Sequence, residues 1–288
     1  MSIVTLADFR CGCGERPTWH PESRTLYFTD VDRPAVYAYD TTSGIASKVY
    51  HEDDIVGGMT LHHDGRLLLF MSRGAIRLFS PADGGMETLL EGIEGEEESR
   101  FNDVLADPQG RVFCGTMPSQ DRPGRLYRWD PDHTLHTVLN EAGLPNGMGF
   151  SPDLSTFYFT DTQARTIDAF DYSRESGALS RRRTVVPPPQ EPGNPDGLAV
   201  DSEGNLWSAQ FGGSRLVCYS PQGQELSRVE LPMAENPTCP LIGGAGAVYL
   251  TTAGGDYRPQ AGDSAGALLR LSLDIEPAPT YRSGRSNP

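Results

Sequence analysis

A chain of 288 residues with 37% hydrophobic and 22% charged residues can bury a substantial core, and its 32 glycines and 23 prolines suit short strands and tight turns. A net charge of −15 argues against nucleic acid and anionic membrane surfaces as partners, because their phosphates would be repelled. With no apolar run of 18 residues and no basic start leading into an apolar core, a cytoplasmic location is expected.

Residues Ile3 to Phe9 alternate as a strand does, and repeats begin immediately after them. The aromatic or apolar residue at the centre of a recurring strand stands at Tyr27, Leu68, Phe113, Tyr158, Trp207 and Tyr249, at spacings of 41, 45, 45, 49 and 42 residues. A period of that length means an array of supersecondary units. Each unit has a strand before this one, and a third after it, such as Val36-Tyr37-Ala38-Tyr39 or Leu216-Val217-Cys218-Tyr219. Most add a fourth, such as Ser47-Lys48-Val49-Tyr50 or Arg183-Thr184-Val185-Val186. Four antiparallel strands in each of six tandem units predict an all-β fold, a six-bladed β-propeller. The sixth unit lacks a fourth strand after Ser272, so the N-terminal strand is expected to complete it and close the ring. Residues 1–275 then form one propeller domain, and 276–288, rich in Pro, Ser and Gly, a loosely ordered tail.

The first strand of each blade lines the channel of a propeller, so equivalent residues form a ring around its axis. Counting back six residues from the turn after each first strand gives Glu15, Gly58, Asn102, Asn146 and Asp196, with Thr238 or Cys239 in the last blade. Two carboxylates and two carboxamides thus share one register. Carboxylates at close quarters repel unless a proton or a cation separates them. Hard oxygen donors favour calcium, magnesium or manganese, with zinc possible through the carboxylates, and the incomplete ligand set leaves places for water or substrate. Taken singly, Asn146-Gly147 and Asp196-Gly197 also read as turn formers that cap strands.

The remaining chemistry-bearing residues read as structural. Five scattered cysteines contain no CxxC pair and are expected to be reduced and mostly buried. The run Glu94-Gly95-Glu96-Glu97-Glu98 is expected to be a solvated loop, and the six histidines fall in turns or outer strands. Trp207 and Tyr257 could stack on a sugar, although aromatics in blade strands are usually core.

The segments Gly14-Glu15-Arg16-Pro17-Thr18-Trp19, Arg100-Phe101-Asn102-Asp103, Gly115-Thr116-Met117, Leu144-Pro145-Asn146-Gly147 and Pro195-Asp196-Gly197 resemble the motifs of the SMP-30/gluconolactonase/luciferin-regenerating-enzyme family. The resemblance runs from about Cys11 to Leu271 and implies a six-bladed propeller that binds one divalent metal, calcium foremost, and hydrolyses sugar lactones. By position it implies Glu15, Asn146 and Asp196 as metal ligands, Asp196 as general base, and Arg100 and Asn102 as substrate contacts. Arg100 has a competing expectation, an ion pair with Glu96, Glu97 or Glu98. Two features depart from the family's pattern. Arg16 stands where it usually has glycine, and the loop 118–124 after Met117 is shorter than in animal members. The alternatives are a metal-dependent esterase or phosphotriesterase and a metal-stabilised binding propeller without turnover. No Gly-x-Ser-x-Gly elbow or dinucleotide fingerprint is present.

Overall fold

The computed structural model describes residues 2–258 and 260–284. Strand β1 (Ile3–Ala7) leads into blade one, formed by β2 (Gly14–His20), β3 (Thr25–Asp30), β4 (Ala35–Asp40) and β5 (Ala46–Tyr50). Blade two is β6 (Val56–Leu61), β7 (Leu67–Met71), β8 (Ile76–Phe79) and β9 (Met86–Leu90). Blade three follows as β10 (Phe101–Ala106), β11 (Val112–Thr116), β12 (Gly124–Trp129) and β13 (Leu135–Gly143). Blade four is β14 (Pro145–Phe150), β15 (Thr156–Asp161), β16 (Thr166–Tyr172) and β17 (Leu179–Val186). Blade five is β18 (Asn194–Val200), β19 (Leu206–Phe211), β20 (Arg215–Tyr219) and β21 (Glu225–Glu230). The chain supplies only three strands to blade six, β22 (Asn236–Ile242), β23 (Ala247–Ala253) and β24 (Leu268–Ser272).

β1 completes that sheet, pairing antiparallel with β24 through Ile3 opposite Leu271 and Thr5 opposite Leu269. The six sheets pack inner strand to inner strand, β2 against both β6 and β22, so the ring closes. Among the described residues the only helical element is a 3-10 turn over Gly255–Tyr257, and no helix is long and apolar enough to cross a membrane.

Each junction between blades has its own apolar cluster, because alternation puts the two faces of every sheet against neighbouring blades. Val36, Val56, Met59 and Leu69 fill the junction of blades one and two, and Phe113, Met148, Phe157 and Phe159 that of three and four. Leu26, Phe28 and Leu268 join blade six to blade one, with Phe9 stacked on Tyr37 at a ring separation of 4.0 Å. Fully burying one such side chain contributes about 1.5–3 kcal/mol, so stability is spread round the ring. Trp207 belongs to this core, its indole Nε1 donating to Asp201 Oδ2 at 3.0 Å, whereas Tyr257 is exposed.

The C-terminal segment packs on the propeller. Residues 276–284 cross the channel mouth from blade five to blades two and three, with backbone hydrogen bonds at both ends. The Ser202 amide donates to Glu276 O at 2.8 Å and the Ala278 amide to Val200 O at 3.1 Å. At the far end the Ser283 amide donates to Leu61 O at 2.9 Å and the Gly284 amide to Gly110 O at 3.0 Å, and Ser283 is fully buried. Carbonyls at the ends of β18 and β6 and in the turn after β10, together with the Ser202 amide, hold this segment. Residues 285–288 of the expected tail lie outside the described residues.

Candidate functional site

At the opposite end of the channel from the crossing segment, every inner strand carries a β-bulge at one repeat position. In blades three to six, two residues oppose one on the neighbouring strand: Asn102-Asp103, Asn146-Gly147, Asp196-Gly197 and Thr238-Cys239. A bulge re-aims side chains and leaves them unpaired by the ladder. Gly147 and Gly197 therefore serve close approach, not turns. A Cβ at Gly147 would lie 2.1 Å from the Leu198 amide nitrogen, and one at Gly197 would lie 2.5 Å from Cys239 Cα.

Strand pairing corrects the sequence count in two blades. In blade one the bulge residues are Arg16-Pro17, so Arg16 holds the register of Asn146 and Asp196, while Glu15 is paired opposite Thr29. Gly58 pairs with Phe70, beyond the bulge in blade two. Arg16 has φ 47°, a left-handed backbone that costs a non-glycine residue about 1–2 kcal/mol and breaks the strand's alternation at Glu15. Thr238 takes the place in blade six, but its hydroxyl is hydrogen-bonded to Gly14 O and Thr251 Oγ1.

Side chains fix the backbone leading into these positions. Asp30 accepts from the Gly12 and Cys13 amides at 2.9 and 3.0 Å, and Asp161 accepts from the Leu144 amide at 3.1 Å. The ring residues also stitch adjoining blades together. Asn102 Nδ2 donates to Pro145 O at 2.9 Å; Asn146 Nδ2 donates to Thr162 Oγ1 at 3.2 Å, and Thr162 Oγ1 to Pro195 O at 2.7 Å. Committing Nδ2 in this way leaves Asn146 Oδ1 as that side chain's acceptor for a ligand.

Electrostatics mark the same place. Burial, then the carboxylates of Asp196 and Asp103, push Glu15 well above the ordinary carboxylate range. Burial, then Asp103, push Asp196 well above it too, opposed by a hydrogen bond from Asn146 and by the charge of Arg100. Arg100 Nη1 donates to Phe101 O and to Asn102 Oδ1, both at 2.9 Å, and burial lowers its pKa. Glu15, Asn146, Asp196, Arg100 and Asn102 are thus brought to one end of one channel. The competing ion pair for Arg100 does not form: Glu96 is fully buried and paired with Arg122 and Arg125, and it accepts from Tyr127 OH at 2.7 Å. The run 94–98 is therefore not a simple solvated loop.

Asp103 is the residue that sequence reasoning passed over, although it adjoins Asn102 in a quoted motif. It is 4% exposed, its Oδ2 has no hydrogen-bond partner, and Arg16 Nε lies 3.4 Å from its Oδ1. Cys13 also belongs to this group, but burial and the charges of Glu15 and Asp196 raise its thiol well above its usual range, so it stays protonated and un-nucleophilic.

The donor set fits a divalent cation. Glu15, Asp196 and Asn146 Oδ1 offer hard oxygens; two of them are destabilised as anions, and a buried carboxylate oxygen of Asp103 stands nearby without a partner. Fold and site together define a β-propeller with a polar, acid-rich centre at one end of its channel. The chain belongs to the family described as "SMP-30/Gluconolactonase/LRE-like region", whose model matches residues 13–254. It is 42% identical over 98% of both chains to Pentonolactonase XacC of Haloferax volcanii, and 31% identical over 94% of both to regucalcin of Bos taurus. A solved luciferin-regenerating enzyme superposes with a TM-score of 0.88 at 25% identity, covering 98% of this chain and 99% of that one.

Proposed function

We propose that this protein hydrolyses sugar lactones to aldonic acids with the help of one divalent cation, calcium being the first candidate. The convergence of Glu15, Asn146 and Asp196 beside a fixed Arg100–Asn102 pair is the observation behind this reading. The similarity to a pentonolactonase supports the substrate class. Glu15, Asp196 and Asn146 Oδ1 would hold the cation, which when bound supplies Lewis-acid stabilisation of negative charge on the lactone carbonyl oxygen.

The protein's own groups do the rest. An oxygen of Asp196 takes a proton from the attacking water, a contribution of about 100- to 10,000-fold. Arg100 is held in plane by Phe101 O and Asn102 Oδ1, so its remaining N–H groups face a lactone oxygen or sugar hydroxyl without having to be ordered first. Asn102 spends Nδ2 on Pro145 O and positions Arg100 through Oδ1.

A pH-indicator assay on chelator-stripped protein tests this, using five- and six-membered aldonolactones with calcium, zinc, manganese or magnesium restored one at a time. The expected result is a rate that vanishes with chelation, returns with a metal, and falls by orders of magnitude in Asp196→Ala. Rates no higher than spontaneous hydrolysis with every metal, in protein that still binds one, would overturn the assignment in favour of another ester or of binding without turnover.

A further inference from the structure

The channel continues behind the ring. Between the ring and the crossing segment 276–284, the far halves of the inner strands line a partly open cavity of about 690 Å³, well inside the range of small-molecule sites. Its walls are more apolar than polar, with Trp19, Leu61, Leu105, Phe150, Val200 and Tyr281 among them. In a chain of net charge −15, no carboxylate lines it; the charged residues on its lining are Arg16 and Arg282. Arg282 is paired at the rim with Glu22. Arg16 enters from the ring end, and its Nε is buried without a hydrogen-bond partner, the nearby Asp103 carboxylate lying at 3.4 Å. Of the hydroxyls on the lining, Thr60 donates to Ser283 Oγ at 2.9 Å and Thr18 to the carbonyls of Arg16 and Met59, while those of Tyr249, Thr280 and Tyr281 make no hydrogen bond among the described residues.

We infer that this cavity is a second ligand site, taking a small monocarboxylate with an aliphatic body, its head group at Arg16 and its chain along the apolar walls. The charge pattern selects the class. A sugar acid would set several hydroxyls against mostly apolar walls, at about 1–3 kcal/mol for each left unpaired, so an aliphatic body suits the cavity better. An uncharged hydrocarbon would leave Arg16 Nε with only its 3.4 Å ionic contact to Asp103, and an alkylammonium would face two arginines and no acid on the lining. Entry is through the crossing segment. Residues 279–282, between the anchors at Ala278 and Ser283, make no backbone hydrogen bond among the described residues, so this span yields first.

The test uses the full-length protein and decanoate, with decan-1-ol and decylammonium as charge controls, followed by calorimetry. Decanoate is expected to bind saturably and at least about tenfold more tightly than decanol, with decylammonium weakest. Arg16→Gln should remove the advantage of decanoate over decanol while decanol binding is retained. A bromine-tagged decanoate locates the ligand, because Trp19 lines the cavity and Trp129 and Trp207 do not. It should quench tryptophan fluorescence in the wild type and fail to do so in Trp19→Phe, whose unfolding midpoint checks that it folds. Leu105→Trp, which fills the cavity, should abolish binding of both decanoate and decanol. Absence of saturable binding, quenching that persists without Trp19, or decanol binding as tightly as decanoate would each overturn the inference.

Discussion

Replacing Arg16 with glycine sets two effects of opposite sign against each other. Glycine relieves the left-handed backbone at φ 47°, a gain of about 1 kcal/mol. The same change strips Asp103 of its cationic neighbour, and the two side chains are only 15% and 5% exposed. Removing one member of a buried pair costs about 3–5 kcal/mol, because the other charge stays buried and uncompensated. The pair should win, so Arg16→Gly is expected to destabilise the protein by about 2–4 kcal/mol despite restoring the residue that suits the backbone. In an Asp103→Asn background no carboxylate is orphaned, and the same change should then be neutral or stabilising by about 1 kcal/mol. Urea unfolding of the four proteins in this cycle, with chelator present so that bound metal does not mask the difference, measures a coupling of about 3 kcal/mol or more. Equal effects of Arg16→Gly in both backgrounds, or stabilisation in the wild type, would refute the role given to the Arg16–Asp103 contact.

Other consequences are as direct. Glu15 and Asp196 have folded pKa values raised above their unfolded values near 4, so the folded state binds more protons between those limits. Metal-free protein should therefore gain stability as pH falls from 7 toward 4, relative to a Glu15→Gln/Asp196→Asn variant, and unfolding curves that stay parallel across that range would contradict the shifts. Calcium at about 100 times its dissociation constant should stabilise the wild type by about 2.7 kcal/mol and the double variant hardly at all, measured by thermal unfolding. Deleting residues 1–9 removes β1, the Asp8–Arg258 ion pair and the Phe9 ring on Tyr37; a loss of about 3 kcal/mol or more, or roughly 6–12 °C in Tm, is expected. Truncation after Ile275 should open the apolar cavity and raise binding of a hydrophobic dye while leaving lactone turnover, at the other end of the channel, largely intact.

The periodic part of this architecture was readable from residues alone. Side-chain alternation and the spacing from Tyr27 to Tyr249 count the blades, and the missing strand after Ser272 points to the N-terminus. The ring was legible in its residues but not in its register. Counting from turns treats every inner strand as regular, and the bulge plus the left-handed Arg16 shift blade one by a residue. Asp103 escaped because strand alternation directs it away from Asn102; only the bulge brings both into the same charged group. The segment 276–284 escaped for a different reason. Its composition signals little cohesion of its own, and what holds it are the main-chain groups of Val200, Leu61 and Gly110, far away in sequence.

That blade six is built from both chain ends has a consequence for how the molecule comes into being. Ile3 is synthesised long before its partner Leu271. Five blades can assemble during synthesis while the sixth cannot, and until β24 emerges β1 is an unpaired edge with nothing to join. Closing so long a loop is entropically expensive and slow, so ring closure should be the final and rate-limiting event. A nascent chain stalled before Leu268 would be an open arc with two exposed sheet faces, the species from which self-association is most to be expected.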